Sequence, residues 1–152
     1  MLLFDFRRHG GSGAARSTLG INERLDVLGA IAYLRTRGDV EADRFGGWGV
    51  GMGAYALALG AAEAKGVVAL ALDSLYPDVP AQVDRLVRAR VPPLLGRVVP
   101  AAHFLYNVYF GCRLDRFAVS RRLADLSGRH VLLIAGADTP DRYAEERAIY
   151  DA

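Results

Sequence analysis

The 152-residue chain is about one domain long, and its 52% of hydrophobic residues indicate a folded core and exclude a disordered protein. Its 19 basic and 17 acidic residues are interspersed, and no basic run points to nucleic-acid binding. The single cysteine, Cys112, excludes an intrachain disulfide.

The first predicted elements are a strand and a helix joined by a loop. Residues 2–6 are typical of a short buried strand, and a glycine-rich loop follows as far as Gly13. Over residues 20–37, apolar side chains recur at helical spacing, for example at Ile21, Leu25 and Leu28. Gly38 then ends the predicted helix.

A glycine-rich stretch, residues 45–54, connects a short strand to a helix predicted over residues 54–64. That helix has almost no polar face, so we expect it to be buried on most sides. Six consecutive apolar residues, 67–72, then predict a parallel strand covered on both faces, which ends at Asp73 and Ser74.

Residues 79–128 form a mixed helical segment that we interpret as a cap over a pocket. Its apolar part, from Val91 to Cys112, contains Arg97, His103 and three prolines, so we expect no transmembrane segment. No signal peptide is visible, and a cytoplasmic location is predicted. Residues 130–135 predict another buried strand, and a charged helix over 141–152 follows it.

Strands that alternate with helices predict an α/β fold with a mostly parallel sheet of about four strands, flanked by helices. The whole chain, residues 1–152, is predicted to be one domain that carries segment 79–128 as a helical cap insertion.

The turn after the strand at residues 44–48 fits two chemistries. In the G-x-S-x-G nucleophile elbow, the serine position is occupied here by Gly51. In the G-x-G-x-x-A phosphate turn, the matching residues are Gly49, Gly51 and Ala54, and Asp73 ends the next strand where a ribose-binding acid belongs.

Four further segments, in chain order, resemble motifs of the α/β-hydrolase superfamily, in its serine esterase and peptidase-like branch. The first is Asp5-Phe6-Arg7-Arg8-His9-Gly10-Gly11-Ser12-Gly13, which resembles D-x-R-G-H-G-x-S with Arg8 replacing a glycine. The others are Thr18-Leu19-Gly20-x-x-Glu23-x-x-Asp26, Asp73-Ser74-x-Tyr76 and Leu133-Ile134-Ala135-Gly136-x-x-Asp138. The resemblance implies a partial α/β-hydrolase fold and a relationship to enzymes that act on ester or amide bonds.

The resemblance also implies where a catalytic set would lie. Gly51 stands at the nucleophile position and has no side chain, the backbone N–H of Met52 would be one oxyanion donor, and Asp138 stands at the acid position. Asp138 has an equally good interpretation as the cap of the helix near Pro140. No histidine follows Asp138, so we expect a catalytically inactive or incomplete hydrolase whose pocket accepts a small ester or amide. No cofactor or metal site is predicted.

The remaining serines and histidines of interest are predicted to be structural. Ser12 and Ser74 lie in loops and not in an elbow. His9, His103 and His130 cannot be combined with a nucleophile from the sequence alone.

The family's strand order, 1-2-4-3-5-6-7-8, makes residues 2–6 the fourth strand and leaves the third strand absent. We therefore expect a chain truncated at both ends, in which residues 2–6 either close against the elbow strand or leave a gap. Open sheet edges would favour self-association.

Two alternatives remain: a non-catalytic protein that binds or associates through its capped pocket, and a dinucleotide-binding module. The second is opposed by the glycine-rich strand before the turn, by the strand and helix that precede it, and by the hydrolase-like motifs around it.

Overall fold

The computed structural model describes residues 1–90, 92, 98–111, 117–136 and 140–151. Within these residues the chain forms three strands and five α-helices, together with two short 3-10 helices. In chain order the elements are α1 (Glu23–Arg35), β1 (Phe45–Val50), α2 (Met52–Glu63), β2 (Val67–Asp73), α3 (Val79–Arg88), α4 (Val98–Phe110), the 3-10 helices (Val119–Arg121 and Leu123–Leu126), β3 (His130–Ile134) and α5 (Pro140–Tyr150).

The three strands form one parallel sheet in the order β1-β2-β3. Their carboxyl ends align, because Val50 pairs with Asp73, and Asp73 pairs with Ile134 on its other side. The predicted α/β architecture with a parallel sheet is confirmed. The helix α2 crosses between β1 and β2 on one face, as a parallel pair requires.

The prediction of a strand at residues 2–6 is wrong, and the described sheet has three strands instead of about four. Backbone acceptors of this segment bind the loop that follows it: the carbonyl of Phe6 accepts from the N–H of His9, and the carbonyl of Asp5 accepts from the Ser12 hydroxyl. No described residue of β1 forms a backbone hydrogen bond with it.

Helix α2 is the centre of the core, as its apolar sequence predicts. Its buried residues are Ala54, Tyr55, Ala56, Ala58, Leu59, Gly60 and Ala61. The close packing of α2 against the sheet and against α1 depends on glycines, which have no side chain. A Cβ on Gly47 would lie 2.8 Å from Leu57, and one on Gly60 would lie 2.9 Å from Val27 of α1. The helix therefore lies between the sheet and α1.

The opposite face of the sheet is largely uncovered by the described helices. Trp48 is 70% exposed and Leu132 is 58% exposed, although both lie on strands. The expectation that the strand at residues 67–72 is covered on both faces is therefore wrong: Leu70 and Leu72 are buried, but Ala69 and Ala71 are only half-buried and Val68 is exposed. A run of apolar residues indicates a strand and cannot show which elements cover it.

The described part of the chain contains no helix long and apolar enough to cross a membrane.

Candidate functional site

The turn between β1 and α2 places Gly51 at the carboxyl edge of the sheet. Gly51 has φ 55° and ψ −115°, a conformation that side-chain-bearing residues rarely adopt. Its N–H donates to the carbonyl of Asp73 at 2.8 Å, and its carbonyl accepts from the N–H of Tyr55 at 3.0 Å. These two bonds fix the turn between the neighbouring strand and the first turn of α2.

The glycines at positions 49 and 51 serve different purposes in this turn. A Cβ on Gly49 would lie 2.6 Å from the backbone of Gly53, so only glycine permits β1 and α2 to approach so closely. A Cβ on Gly51 would have no atom within 4 Å. A side chain at position 51 would therefore project into open space, which is the geometry of a nucleophile elbow.

Met52 begins α2, and its backbone N–H has no acceptor among the described residues. The first N–H groups of a helix have no intrahelical partner, and they favour developing negative charge. The Met52 side chain lies beside Ser17, whose hydroxyl is 3.9 Å from the methionine sulfur.

A small basic cavity of about 190 Å³ adjoins this edge and is lined by Arg8, Arg16, Ser17 and Tyr109. The guanidinium of Arg16 donates to the carbonyl of Tyr109 at 3.1 Å and lies 5.0 Å from the centre of its ring. This contact brings α4, from the predicted cap, against the loop before α1, in which Ser17 lies beside the Met52 side chain. No sequence pattern points to Arg16 or Ser17, because they lie in irregular chain and meet the site only through tertiary structure.

The three histidines are described, and none contributes to a constellation around Gly51. His130 begins β3, and about 13 Å of strand separates it from Ile134 at the carboxyl edge. The Nε2 atom of His103 lies 2.7 Å from Oδ1 of Asp84, between α4 and α3. The Nδ1 atom of His9 lies 2.9 Å from the carbonyl of Arg7 in the N-terminal loop.

Both loop serines point to local acceptors. The hydroxyl of Ser12 donates to the carbonyl of Asp5 at 2.7 Å, and that of Ser74 donates to Oδ1 of Asp73 at 2.8 Å. Asp138, the predicted acid position, lies outside the described residues.

Two buried tyrosines, Tyr55 of α2 and Tyr76 after β2, pack against each other and hold neighbouring loops by hydrogen bonds. The rings of Tyr55 and Tyr76 stack with their centres 4.5 Å apart. The Tyr55 hydroxyl donates to the carbonyl of Phe117, and the Tyr76 hydroxyl donates to the carbonyl of Leu19 at 2.6 Å. Burial raises the pKa of both phenols above the ordinary value, so both remain protonated donors. Tyr55 joins Phe117 to α2, and Tyr76 joins Leu19 to the segment after β2.

Asp73 ends β2 directly beside Val50, which is where a dinucleotide-binding fold places its ribose-binding acid. One sequence-based argument against that interpretation is wrong: residues 2–6 are not a strand, so β1 is the first strand in the described part of the sheet. The glycine-rich strand and the surrounding motifs still oppose it.

The esterase Pf2001 of Pyrococcus furiosus is similar to this chain in two crystal forms. One form matches with a TM-score of 0.58 and 21% identity, over 95% of this chain and 55% of the esterase chain. The other form matches with a TM-score of 0.61 and 22% identity, over 95% of this chain and 53% of the esterase chain. The chain has a partial α/β-hydrolase fold. It spans about half the length of these esterases.

Comparison by sequence adds nothing to this fold assignment: no family model matches the chain, and no curated protein matches it. The strand β1, the turn at Gly51 and the helix α2 follow one another in the order that the predicted elbow requires. The assignment of Gly51 to the nucleophile position of that elbow stays a prediction from the sequence.

Proposed function

We propose that this chain is an esterase-like α/β-hydrolase that does not hydrolyse esters or amides as it stands. One observation supports the proposal: the turn between β1 and α2 has Gly51 at its tip, where a side chain would have open space. Acyl transfer at such a turn requires a nucleophilic side chain and a base that takes its proton. Glycine provides no nucleophile. Of the described histidines, His9 contacts the carbonyl of Arg7, His103 contacts Asp84, and His130 lies at the amino end of β3.

What the site retains is suited to binding. The N–H of Met52 has no acceptor among the described residues and is a donor for a carbonyl oxygen. Ser17, which contacts the Met52 side chain, also lines a cavity together with Arg8 and Arg16. We propose that the ligand is a small ester or amide, bound beneath segment 79–128 acting as a cap of the single domain 1–152. Asp138 is assigned either to the acid position or to the cap of α5, and the cytoplasmic location remains a proposal from the sequence.

A fluorophosphonate probe tests the inactive state, because it reacts with activated serines only. We expect no labelling of the wild-type chain under conditions in which an active serine esterase is labelled completely. The heat-denatured chain is the matched blank. Stoichiometric labelling of the native chain would show that another serine is activated and would contradict the proposal.

The position of Asp73 beside the turn keeps dinucleotide binding as a second candidate function. Its test is the melting temperature of the chain in the presence of NAD. Ligand-linked stabilisation that disappears in Asp73→Asn would favour this candidate. We expect no shift in either protein, because the glycine-rich strand before the turn and the hydrolase-like motifs around it oppose the dinucleotide-binding interpretation.

A further inference from the structure

Strand β1 has a free edge whose backbone groups face a cleft. The N–H groups of Phe45 and Gly51 donate to carbonyls on the β2 side, at Gly66 and Asp73. Because backbone groups alternate in direction along a strand, those of Gly46, Trp48 and Val50 point to the opposite edge. No described residue hydrogen-bonds to them there.

The other wall of this cleft is the N-terminal segment, residues 2–6. The segment runs alongside β1 but stays separate from it, because its polar backbone groups bind the loop at residues 9–12. Phe6 reaches the base of the cleft, where its ring lies 3.6 Å from the position of a Cβ on Gly53. The wall is therefore held in place without closing the gap.

The cleft between these walls has a volume of about 490 Å³, and none of the side chains that line it carries a charge. Its floor is formed by Val27, Ile31 and Leu34 of α1. At the rim, Leu3 is 77% exposed and Val50 is 52% exposed. Large apolar side chains left exposed around one concavity mark a binding surface. An unpaired strand edge beside it favours an occupant that supplies backbone partners.

These features restrict the occupant to one kind of ligand. The uncharged lining excludes a charged segment, and the unpaired edge requires an extended backbone. A second copy of the chain is excluded as the occupant, because its sheet edge is too wide to enter a cleft whose far side is closed by residues 2–6. The similar esterases have nearly half of their chain without a counterpart here, so the shared fold is accompanied there by further polypeptide.

We propose that this cleft binds a single β-strand of another polypeptide segment, which pairs with the backbone of Gly46, Trp48 and Val50. Alternate side chains of the strand face α1 and must be apolar, since they pack on Ile31 and Leu34. The intervening side chains face the uncovered side of the sheet, where polar residues are tolerated. The inference is independent of the state of the elbow, because no reacting group takes part.

The test is a titration of the full chain with the synthetic peptide Ac-KVTVTVK-amide, followed by amide hydrogen exchange measured by NMR. We expect the N–H groups of Trp48 and Val50 to exchange at least about tenfold more slowly when the peptide is bound, with Gly47 and Gly49 unchanged. Two control peptides are used: one is N-methylated at every core amide, and the other is Ac-KVTKTVK-amide. Both should lose the effect, the first for lack of donors and the second because its charge enters the apolar cleft.

Matched protein variants separate pairing from simple hydrophobic contact. Trp48→Pro removes the edge-facing N–H without removing a bond to β2, whereas Trp48→Val keeps it. Only the proline variant should lose peptide binding. The proposal would be overturned if the N-methylated peptide bound as tightly as the unmethylated one. It would also be overturned if the peptide slowed amide exchange only at residues other than Trp48 and Val50. Slow exchange of the Trp48 and Val50 N–H groups in the peptide-free chain would also overturn it. Protection that increases with protein concentration would indicate pairing with a second copy. Protection that does not depend on concentration would indicate that residues 2–6 close against β1.

Discussion

At the scale of single residues, the turn after β1 shows how glycine is required for conformation in one place and for space in another. Gly49 is required because a Cβ would meet the backbone of Gly53. Gly51 has room for a side chain, but its φ of 55° lies in the left-handed region that favours glycine. Replacement at position 51 is therefore opposed by backbone strain and not by packing.

Gly51→Ala is expected to lower the free energy of unfolding by about 1–3 kcal/mol, the strain of a side chain in this backbone region. The control is Gly29→Ala in the exposed interior of α1, where a Cβ has open space and φ is not positive. That change should raise stability by about 0.5–1 kcal/mol. Urea denaturation of the three proteins measures both effects. Equal stability of Gly51→Ala and wild type would show that Gly51 is not strained.

Glu23 is a second residue whose environment defines its role. Its fully buried carboxylate accepts hydrogen bonds from the N–H of Thr18 at 2.9 Å, the hydroxyl of Thr18 at 3.0 Å and the N–H of Gly20 at 2.8 Å. All three groups are donors. The carboxylate therefore closes the loop before α1, and its motif position is explained by structure and not by catalysis.

Glu23→Gln is expected to destabilise the chain by about 1–3 kcal/mol. The NH₂ group of the glutamine side chain would face the N–H and O–H donors of Thr18 and Gly20, and a buried polar group would be left unsatisfied. Glu41→Gln, in an exposed pair with Arg44, should change stability by less than about 0.5 kcal/mol. Thermal or urea unfolding compares the two variants. A neutral result for Glu23→Gln would mean that water satisfies the carboxylate in solution.

At the scale of elements, one ion pair joins the N-terminal loop to α1. The side chain of Arg7 lies 2.6 Å from Oδ1 of Asp26, and the backbone N–H of Arg7 donates to Oδ2 at 3.0 Å. Burial acts to raise the pKa of Asp26, but the hydrogen bonds and charge of Arg7 outweigh it, and the net pKa is lowered. The pair anchors to α1 the chain that directly follows residues 2–6, the wall of the cleft.

Because the folded pKa of Asp26 is lowered, its contribution to stability is fully present above the unfolded value of about 4 and is lost as the pH falls through the folded value. Asp26→Asn should cost about 1–2 kcal/mol at pH 7, since the pair is partly exposed. We expect this difference to stay constant down to about pH 5 and to shrink below about pH 4.

Asp125→Asn, on the surface beside Arg122, is the control and should have little effect at pH 7. Urea titrations at a series of pH values provide the comparison. A difference between wild type and Asp26→Asn that grows on acidification would contradict the assigned direction of the pKa shift.

Local patterns predicted the central elements well, because the sequence there carries the interactions that decide them. The glycine-rich turn, the apolar helix α2 and the strand β2 each follow from composition and spacing. Helix α1 begins at Glu23 and not at Gly20, because Leu19 and Gly20 have positive φ and cannot be helical. Residues 2–6 were predicted wrongly because strand formation needs a pairing partner, and no local pattern shows whether one is present.

At the scale of the whole molecule, the chain spans about half the length of the esterases that share its fold. The strand, turn and helix around Gly51 could be predicted from the sequence because they form one continuous segment. The basic cavity beside Met52 could not, since Arg16 and Tyr109 meet only after folding. Asp138 lies outside the described residues, so its two sequence-based interpretations both stand as predictions, as does self-association through open edges.

The central claim is that the elbow is present and empty, and ester hydrolysis by the wild type and by Gly51→Ser tests it most directly. Circular dichroism should first establish that both proteins are folded, and Gly51→Ala serves as the matched control. We expect no release of p-nitrophenol from p-nitrophenyl butyrate above the protein-free rate for any of the three. A serine alone lacks the base that activates it. Saturable turnover by the wild type, or by Gly51→Ser but not Gly51→Ala, would contradict the account.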